Sequence, residues 1–112
     1  MSAPIAPATF PGTTLFLPDG IMTGDITYDL RAGQLAIAYE DGESEVLSID
    51  LTLEGYAASP GEAFIKDWSE HAGLMCALVD AGIAMRTETL TVGPFDSRAY
   101  RGLILTPEVT GR

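Results

Sequence analysis

The chain has 112 residues, which suits a single domain with its own core, and 46% of them are hydrophobic, so wholesale disorder is not expected. Sixteen acidic against six basic residues give a net charge of −10, which disfavours direct binding to nucleic acid or to an anionic membrane and favours a basic protein partner. Nine of the acids and one base, Arg31, lie in residues 1–60, so the negative charge belongs to the first half. A genome or habitat bias toward acidic residues is the alternative explanation.

The chain lacks the residue patterns of several common kinds of protein. Its single cysteine, Cys76, cannot form an internal disulfide, and no Cys or His spacing matches a zinc site. No glycine-rich nucleotide-binding motif occurs, so we expect no cofactor and no metal. The start, MSAPIAPATFPGTT, is not a secretory signal, and no apolar run reaches the ~18 residues of a membrane helix. We therefore expect a soluble, cytoplasmic protein that does not bind membranes.

The first residues predict an irregular start followed by a tight turn. Three prolines among the first eleven residues favour a flexible arm over residues 1–12. In LFLPDGIM, the sequence Pro-Asp-Gly is typical of a turn between two short strands. This turn would pair Leu17 with Ile21.

Three runs of alternating apolar and polar residues follow: DITYDL, QLAIAY and VLSIDLTL. They predict an antiparallel meander with one buried face. A four-residue loop over residues 31–34 would place Tyr28 opposite Ile37. A three-residue loop over residues 40–42 would place Leu35 opposite Leu47, and it also places Glu45 on the apolar face opposite Ile37, which is tolerable only at the sheet margin.

The segment SPGEAFIKDWSEHAGLMCALVDAGIA predicts an amphipathic helix over residues 60–81. Ser59 and Glu62 form a capping-box pattern, and Gly82 stands where the helix would end in a Schellman motif, with Ile83 touching Leu78. Gly73 marks a possible break. At about 100° per residue the apolar residues form one stripe, which comprises Phe64, Trp68, His71, Met75, Leu78 and Val79, flanked by Ile65, Ala72 and Cys76.

Two further strands, IAMRTETLTV and AYRGLIL, are predicted after the helix, joined through GPFDSR, and residues 106–112 are predicted to be a loose tail. The fold class is therefore α+β, as a single domain over residues 1–112. We expect an antiparallel β-sheet of about five to six strands in the order β-β-β-β-α-β-β. The one amphipathic helix would pack on one face of that sheet.

The stretch KDWSEHAGLMC contains the only Lys, Trp, His and Cys of the chain. On a helix, Trp68, Met75 and Cys76 are most simply core residues, and His71 a buried, hydrogen-bonded one. Asp67 lies four residues before His71 and could pair with it, either for acid–base chemistry or as two metal ligands. Ser69 and His71 point in nearly opposite directions, which excludes a triad. We predict no catalytic residue.

The predicted register gathers acidic residues on the sheet face opposite the helix, around the flat patch of Ala36 and Ala38. Same-face neighbours on a strand lie about 6.6 Å apart, a spacing comparable to that of phosphates along one nucleic-acid strand. A solvated face that keeps the protein soluble is the alternative. The residues predicted to bind a partner are Asp25, Asp29, Glu40, Asp50 and Glu54 on this face, with Asp41 and Glu43 at the neighbouring turn.

These observations favour a small acidic, non-enzymatic binding protein that inhibits or sequesters a basic, nucleic-acid-binding partner, for example as a nucleic-acid mimic. Its size, acidity and lack of a catalytic motif resemble those of phage-encoded inhibitors of host defence, such as anti-CRISPR and anti-restriction proteins. That resemblance is one of composition and assigns no residue. The alternatives are a small enzyme or ligand-binding domain that uses His71 and Asp67 in a helix–sheet pocket, and a self-assembly module with an exposed strand edge. Either a monomer or a homodimer is expected.

Overall fold

Two antiparallel sheets and one α-helix make up the computed structural model, which describes residues 8–105. The α+β class with antiparallel strands and one helix is confirmed, whereas the prediction of a single sheet is wrong. The first sheet has the strand order β1-β2-β3-β4 and the second the order β5-β7-β6. The elements are β1 (Ala8–Leu17), β2 (Gly20–Asp29), β3 (Gln34–Ala38), β4 (Ser44–Val46), β5 (Glu62–Lys66), α1 (Leu74–Asp80), β6 (Ala84–Val92) and β7 (Ser97–Ile104).

The turn between β3 and β4 has the predicted length. The Tyr39 N–H donates to the Glu43 carbonyl oxygen at 2.7 Å, which encloses a three-residue loop. Gly42, with φ +94°, supplies the left-handed residue that such a loop needs. Ile37 is consequently paired with Glu45, so the prediction of a carboxylate on the apolar face of the edge strand is confirmed.

The turn between β2 and β3 begins one residue earlier than predicted. Tyr28 pairs with Leu35 and not with Ile37. The cause is Asp29, whose Oδ1 accepts the Arg31 N–H at 3.0 Å and so starts the turn at once. Because the register moves by two residues, every side chain keeps its predicted face.

The turn between β1 and β2 is also tighter than predicted. Leu17 pairs with Gly20, and Phe16 pairs with Ile21, so only Pro18 and Asp19 form the loop. The predicted pairing of Leu17 with Ile21 is therefore wrong.

The third alternating run, VLSIDLTL, leaves the first sheet at Val46, so the strand predicted over residues 46–53 is wrong beyond that point. The Leu47 N–H still donates to the Leu35 carbonyl oxygen at 2.8 Å, while the Leu47 carbonyl oxygen accepts the Lys66 N–H of β5 at 3.3 Å. Ser48 Oγ accepts the Leu35 N–H at 2.9 Å, which satisfies a buried donor where the strand departs. The run thus joins the two sheets.

The helix predicted over residues 60–81 is wrong in its first half. Ser59 to Glu62 form a β-turn, in which the Glu62 N–H donates to the Ser59 carbonyl oxygen at 2.9 Å and Gly61 has φ +91°. Proline followed by glycine is typical of such a turn, and the supposed capping contact, Ser59 N–H to Glu62 Oε1 at 2.8 Å, forms within it. The apolar run that follows is the strand β5, in which Ala63, Phe64 and Ile65 are all buried.

The second half of that segment contains the helix, which begins after Gly73. Gly73, where a break within the predicted helix was considered, is the N-cap of α1; it has φ +90°, and a Cβ on it would lie 2.6 Å from Pro18 Cδ. Asp67 caps the start, because its Oδ1 accepts the Gly73 N–H and its Oδ2 the Met75 N–H, both at 2.9 Å. The end has the predicted Schellman bond, from Ile83 N–H to the Leu78 carbonyl oxygen at 2.9 Å.

Two hydrophobic clusters hold the described residues together. The larger one lies between the first sheet, the helix and the inner side of the second sheet, and it contains Met75 as predicted. The smaller one lies on the other side of the second sheet, where Trp68 is half-buried against it. Cys76 is exposed on α1, so its predicted burial is wrong. The smaller cluster consists of Leu51, Phe64, Leu90, Val92 and Ala99, with Ile49, Tyr56 and Trp68 packed against it.

The ends of the chain are only partly described. Residues 8–12, which were predicted to belong to a flexible arm, form the start of β1. The rest of that arm and the predicted tail over residues 106–112 lie outside the described residues. The two strands predicted after the helix are confirmed as β6 and β7. Within residues 8–105, no helix has the length and apolar character needed to cross a membrane.

Candidate functional site

The first sheet has a face that points away from the core, which we call the outward face. Its residues alternate with the buried Ile26, Tyr28, Leu35 and Ile37, and Thr, Ala and Ser dominate it. None of the outward positions, all of which lie in the described part of the chain, carries Lys or Arg. These positions are Thr9, Thr14, Phe16, Ile21, Thr23, Asp25, Thr27, Asp29, Gln34, Ala36, Ala38, Ser44 and Val46.

Two of the predicted partner-binding carboxylates stand on the outward face. Asp25 is paired with Ala38 and Asp29 with Gln34, and both acids are exposed. They are four positions apart along the strand, a distance of about 13 Å. This is twice the spacing expected between same-face neighbours, because Thr27 stands between them.

Three more of the predicted carboxylates lie in the loop after β3, which we call the acidic loop (residues 40–43). Glu40, Asp41 and Glu43 are all exposed there. Because Ala38 is opposite Asp25 and β3 runs antiparallel to β2, the acidic loop extends past Asp25 toward the β1–β2 turn. The structure thus places Asp25 beside the end of β3, from which the chain enters the acidic loop.

The remaining two predicted residues, Asp50 and Glu54, are not on the sheet. Glu54 lies in a 3₁₀ turn, and both residues line a cavity of about 290 Å³ beside Trp68. Asp50 caps this turn by accepting hydrogen bonds from the Thr52 hydroxyl and the Thr52 N–H, which lower the Asp50 pKa. Their predicted placement on the face opposite the helix is wrong because the strand ends at Val46.

The carboxylates of the outward face and the acidic loop also hold the backbone. Asp25 Oδ1 accepts the Gly12 N–H at 2.8 Å beside a bulge in β1, and Asp41 Oδ1 accepts the Glu43 N–H at 2.9 Å. Asp29 Oδ1 holds the β2–β3 turn in the same way. An asparagine retains this acceptor oxygen, so charge can be removed from these positions while the turn contacts remain.

A hydrogen-bonded group of three side chains, Tyr39, Glu45 and His71, lies at the margin of the larger core. His71 Nε2 is 2.6 Å from Glu45 Oε2, and the Tyr39 hydroxyl donates to Glu45 Oε1 at 2.8 Å. His71 is only 9% exposed, so its predicted burial and hydrogen bonding are confirmed. The predicted pairing with Asp67 is wrong, because Asp67 uses both oxygens to cap α1.

The electrostatics of this group favour an ionised Glu45 and a neutral Tyr39. The hydrogen bond from the Tyr39 hydroxyl, assisted by His71, lowers the pKa of Glu45 against the opposing effect of burial. Burial, together with the neighbouring Glu45 carboxylate, raises the pKa of Tyr39 to about 12. The carboxylate therefore accepts from both neighbours across the neutral pH range.

Sequence reasoning missed this group because Glu45 and His71 are 26 residues apart. One signal was present, since a carboxylate on the apolar side of a strand requires donors. His71 was the only histidine available to provide one.

The group lines a cavity of about 200 Å³ at the end of the molecule that also holds the β1–β2 turn. Its lining also includes the apolar residues Leu17, Ile21 and Met22 and the acids Asp19 and Glu70. Among residues 8–105, no group of three or more His, Cys, Asp or Glu side chains is arranged to hold a metal ion. His71, whose imidazole is held by Glu45 next to this cavity, has an arrangement that suits acid–base chemistry.

Comparison of the chain with protein-family models, with curated proteins and with solved structures finds no match.

Proposed function

We propose that this protein is a non-enzymatic binding protein that inhibits or sequesters a basic partner through the outward face of its first sheet. The observation that carries this proposal is the charge of that region. Residues 8–46 contain seven acids and one base, Arg31, and the outward positions carry carboxylates and no basic residue.

The shape of the outward face supports the same conclusion. Its Thr, Ala and Ser side chains are short, so a partner can approach the sheet closely at Asp25 and Asp29. Exposed charges of one sign accelerate association with a surface of opposite sign, and salt screens that effect over about 8–10 Å. We therefore expect fast binding that weakens as salt rises.

A nucleic-acid-binding protein is the proposed partner, as in the anti-CRISPR and anti-restriction proteins of phages. Such partners expose dense groups of Lys and Arg for phosphate contacts. The 13 Å separation of Asp25 and Asp29, about 3.3 Å for each of four residues, is wider than a close copy of a phosphate row would be. The proposal consequently rests on net negative charge and on access to the face.

Affinity capture with matched charge variants tests the proposal. Wild-type protein, the double variant D25N/D29N and the control D80N/D96N would be immobilised and exposed to bacterial lysate at several salt concentrations. Both variants lose the same charge, but the control changes exposed acids of the second half. Capture of a basic protein that is lost at high salt and in D25N/D29N, and kept in the control, is the expected result. Equal capture by all three proteins would contradict it.

The cavity beside His71 supports a second candidate function, the binding of a small ligand. The specific observation is that Tyr39, Glu45 and His71 form one hydrogen-bonded chain along its wall. A fragment screen followed by amide and imidazole chemical shifts would test it. We expect shifts at His71 and Met22 that disappear in H71Q, while binding through the outward face is retained. Absence of such shifts for every fragment would leave these three residues with a structural role.

A further inference from the structure

Two large apolar side chains, Phe16 and Ile21, stand next to each other on the outward face. They are cross-strand partners at the end of the β1–β2 hairpin, and 69% and 65% of their surfaces are exposed. Directly opposite residues of an antiparallel pair have Cβ atoms about 4.5–5.5 Å apart. The two side chains therefore form one continuous apolar patch, which we call the hairpin patch.

The hairpin patch differs in setting from other exposed apolar residues. Leu53 lies in a 3₁₀ turn and Phe95 in the β6–β7 turn, whereas Phe16 and Ile21 project from paired strands with a defined orientation. Met85 and Leu103 form a comparable pair on the second sheet, but they are less exposed. Single exposed hydrophobic residues are ordinary, whereas two that are paired directly across a hairpin present a contiguous apolar surface to a partner.

Hydroxyl groups border the hairpin patch, and carboxylates lie beyond them. Thr14 and Thr23 form the next row of the outward face, with their hydroxyls 3.2 Å apart, and Asp25 stands in the row beyond. The acidic loop extends from Ala38 toward the hairpin patch along the neighbouring strand. An aromatic anchor surrounded by polar groups is the usual arrangement of a protein–protein hot spot.

We infer that the hairpin patch is the apolar anchor of the binding surface, and that its partner is a protein with an apolar pocket bordered by Lys or Arg. The partner's pocket should have a basic border, because the outward face and the acidic loop are negative. The pocket itself should be apolar, since burial of Phe16 and Ile21 is favourable only against apolar atoms. This inference rests on the proposed function and specifies the partner surface that it requires.

Two synthetic peptides of equal charge are suitable probes, one with arginine alternating with serine and one with arginine alternating with leucine. Binding to wild type, F16A, I21T, D25N/D29N and the control F95A would be measured by amide chemical shifts and fluorescence anisotropy. We expect wild type to bind the leucine peptide about tenfold more tightly than the serine peptide, a difference of about 1.4 kcal/mol. That advantage should vanish in F16A and I21T and remain in F95A, in which an equally apolar, 88% exposed ring is removed elsewhere.

The outcomes separate the inference from the proposed function. Equal affinity of wild type for the two peptides, or an equal loss in F95A, would overturn the hairpin patch as anchor. If D25N/D29N binds both peptides as tightly as wild type does, the acidic face itself is not the binding surface and the proposed function fails. If D25N/D29N weakens both peptides but F16A and I21T bind like wild type, the inference alone fails. Amide spectra of each variant establish that it is folded.

Discussion

The two sheets of this protein differ in whether their outer surfaces are covered by other parts of the chain. The outer side of the second sheet carries the smaller hydrophobic cluster. The segment of residues 49–56 covers it, through Ile49, Leu51 and Tyr56. The first sheet leaves its outward face open to solvent, with short side chains and two carboxylates. Only the second sheet thus uses both of its faces for stability.

The charges of the two sheets differ in the same way. In the second sheet, Arg101 forms ion pairs with Glu62 at 2.9 Å and with Glu88 at 2.8 Å, and its guanidinium lies 4.8 Å from the centre of the Phe64 ring. These contacts, led by the bond to Glu88, raise the pKa of Arg101. Residues 62–104 contain six acids and four bases, against seven and one in residues 8–46. Arg101 thus neutralises two acids within the second sheet, whereas the outward face of the first sheet has no basic residue beside its carboxylates.

The largest expected effect compares one substitution on the two outer surfaces. Phe64→Ala removes a ring from the smaller cluster and should lower the free energy of unfolding by about 3–5 kcal/mol. Phe16→Ala on the outward face should change it by less than about 0.5 kcal/mol, because the ring is already in solvent. Urea unfolding measures both. Similar costs for the two variants would show that the outward face is not a free surface.

His71 gives the next largest effect, because it connects the first sheet to the segment before α1. His71→Leu leaves Glu45 with Tyr39 as its one remaining partner and should lower the free energy of unfolding by about 1–2 kcal/mol. His71→Gln, which can still donate to Glu45, should cost less. Thermal and urea unfolding of both variants check this order. A larger cost for His71→Gln would contradict the contact with Glu45.

Tyr39 provides a pH test of the same connection. Burial and the neighbouring Glu45 raise the pKa of Tyr39 in the folded protein to about 12, from the ordinary tyrosine value of 10.0. The neutral hydroxyl is therefore favoured by folding, so its contribution to stability is complete below pH 10 and is lost as the pH rises from 10 to about 12. Tyr39→Phe should have a shallower decline of stability over this range than wild type, and Tyr56→Phe serves as the control. Identical slopes for wild type and Tyr39→Phe would refute the contact.

Much of the first sheet could be predicted from sequence because its signals are local. The alternation of apolar and polar residues over 25–30 and 34–39 indicates which face is buried. The length of the Glu-Asp-Gly loop determines the register that places Leu35 opposite Leu47. The turn before β5 was misassigned because the Ser59 to Glu62 pattern suits both a helix start and a proline–glycine turn. An apolar run that is buried on both sides has no period that separates strand from helix.

The candidate site was less accessible to prediction because it depends on contacts between distant segments. Asp25 and the acidic loop could be placed from the meander alone, since both belong to it. Asp50 and Glu54 could not, because the departure of the chain at Val46 is set by bonds to β5, which lies some twenty residues further along the chain. The hairpin patch also escaped prediction, since a one-residue difference in the β1–β2 turn changes which residues are paired with Phe16 and Leu17.

The smallest expected effect compares the removal of one negative charge from each sheet. Glu88→Gln removes an ion pair with Arg101 and should lower the free energy of unfolding by about 0.2–1 kcal/mol, the usual range for exposed pairs. Asp25→Asn keeps the acceptor oxygen for Gly12 and reduces repulsion among the acids of the first sheet, so it should leave stability unchanged or raise it by less than about 0.5 kcal/mol. Both differences should shrink as salt is added, because both are interactions of exposed charges.

Urea unfolding of the two variants at low and high salt measures the sign of each effect. If Asp25→Asn destabilises the protein as much as Glu88→Gln does, Asp25 is held by an attractive contact within the fold, and the first sheet does not keep that charge for a partner.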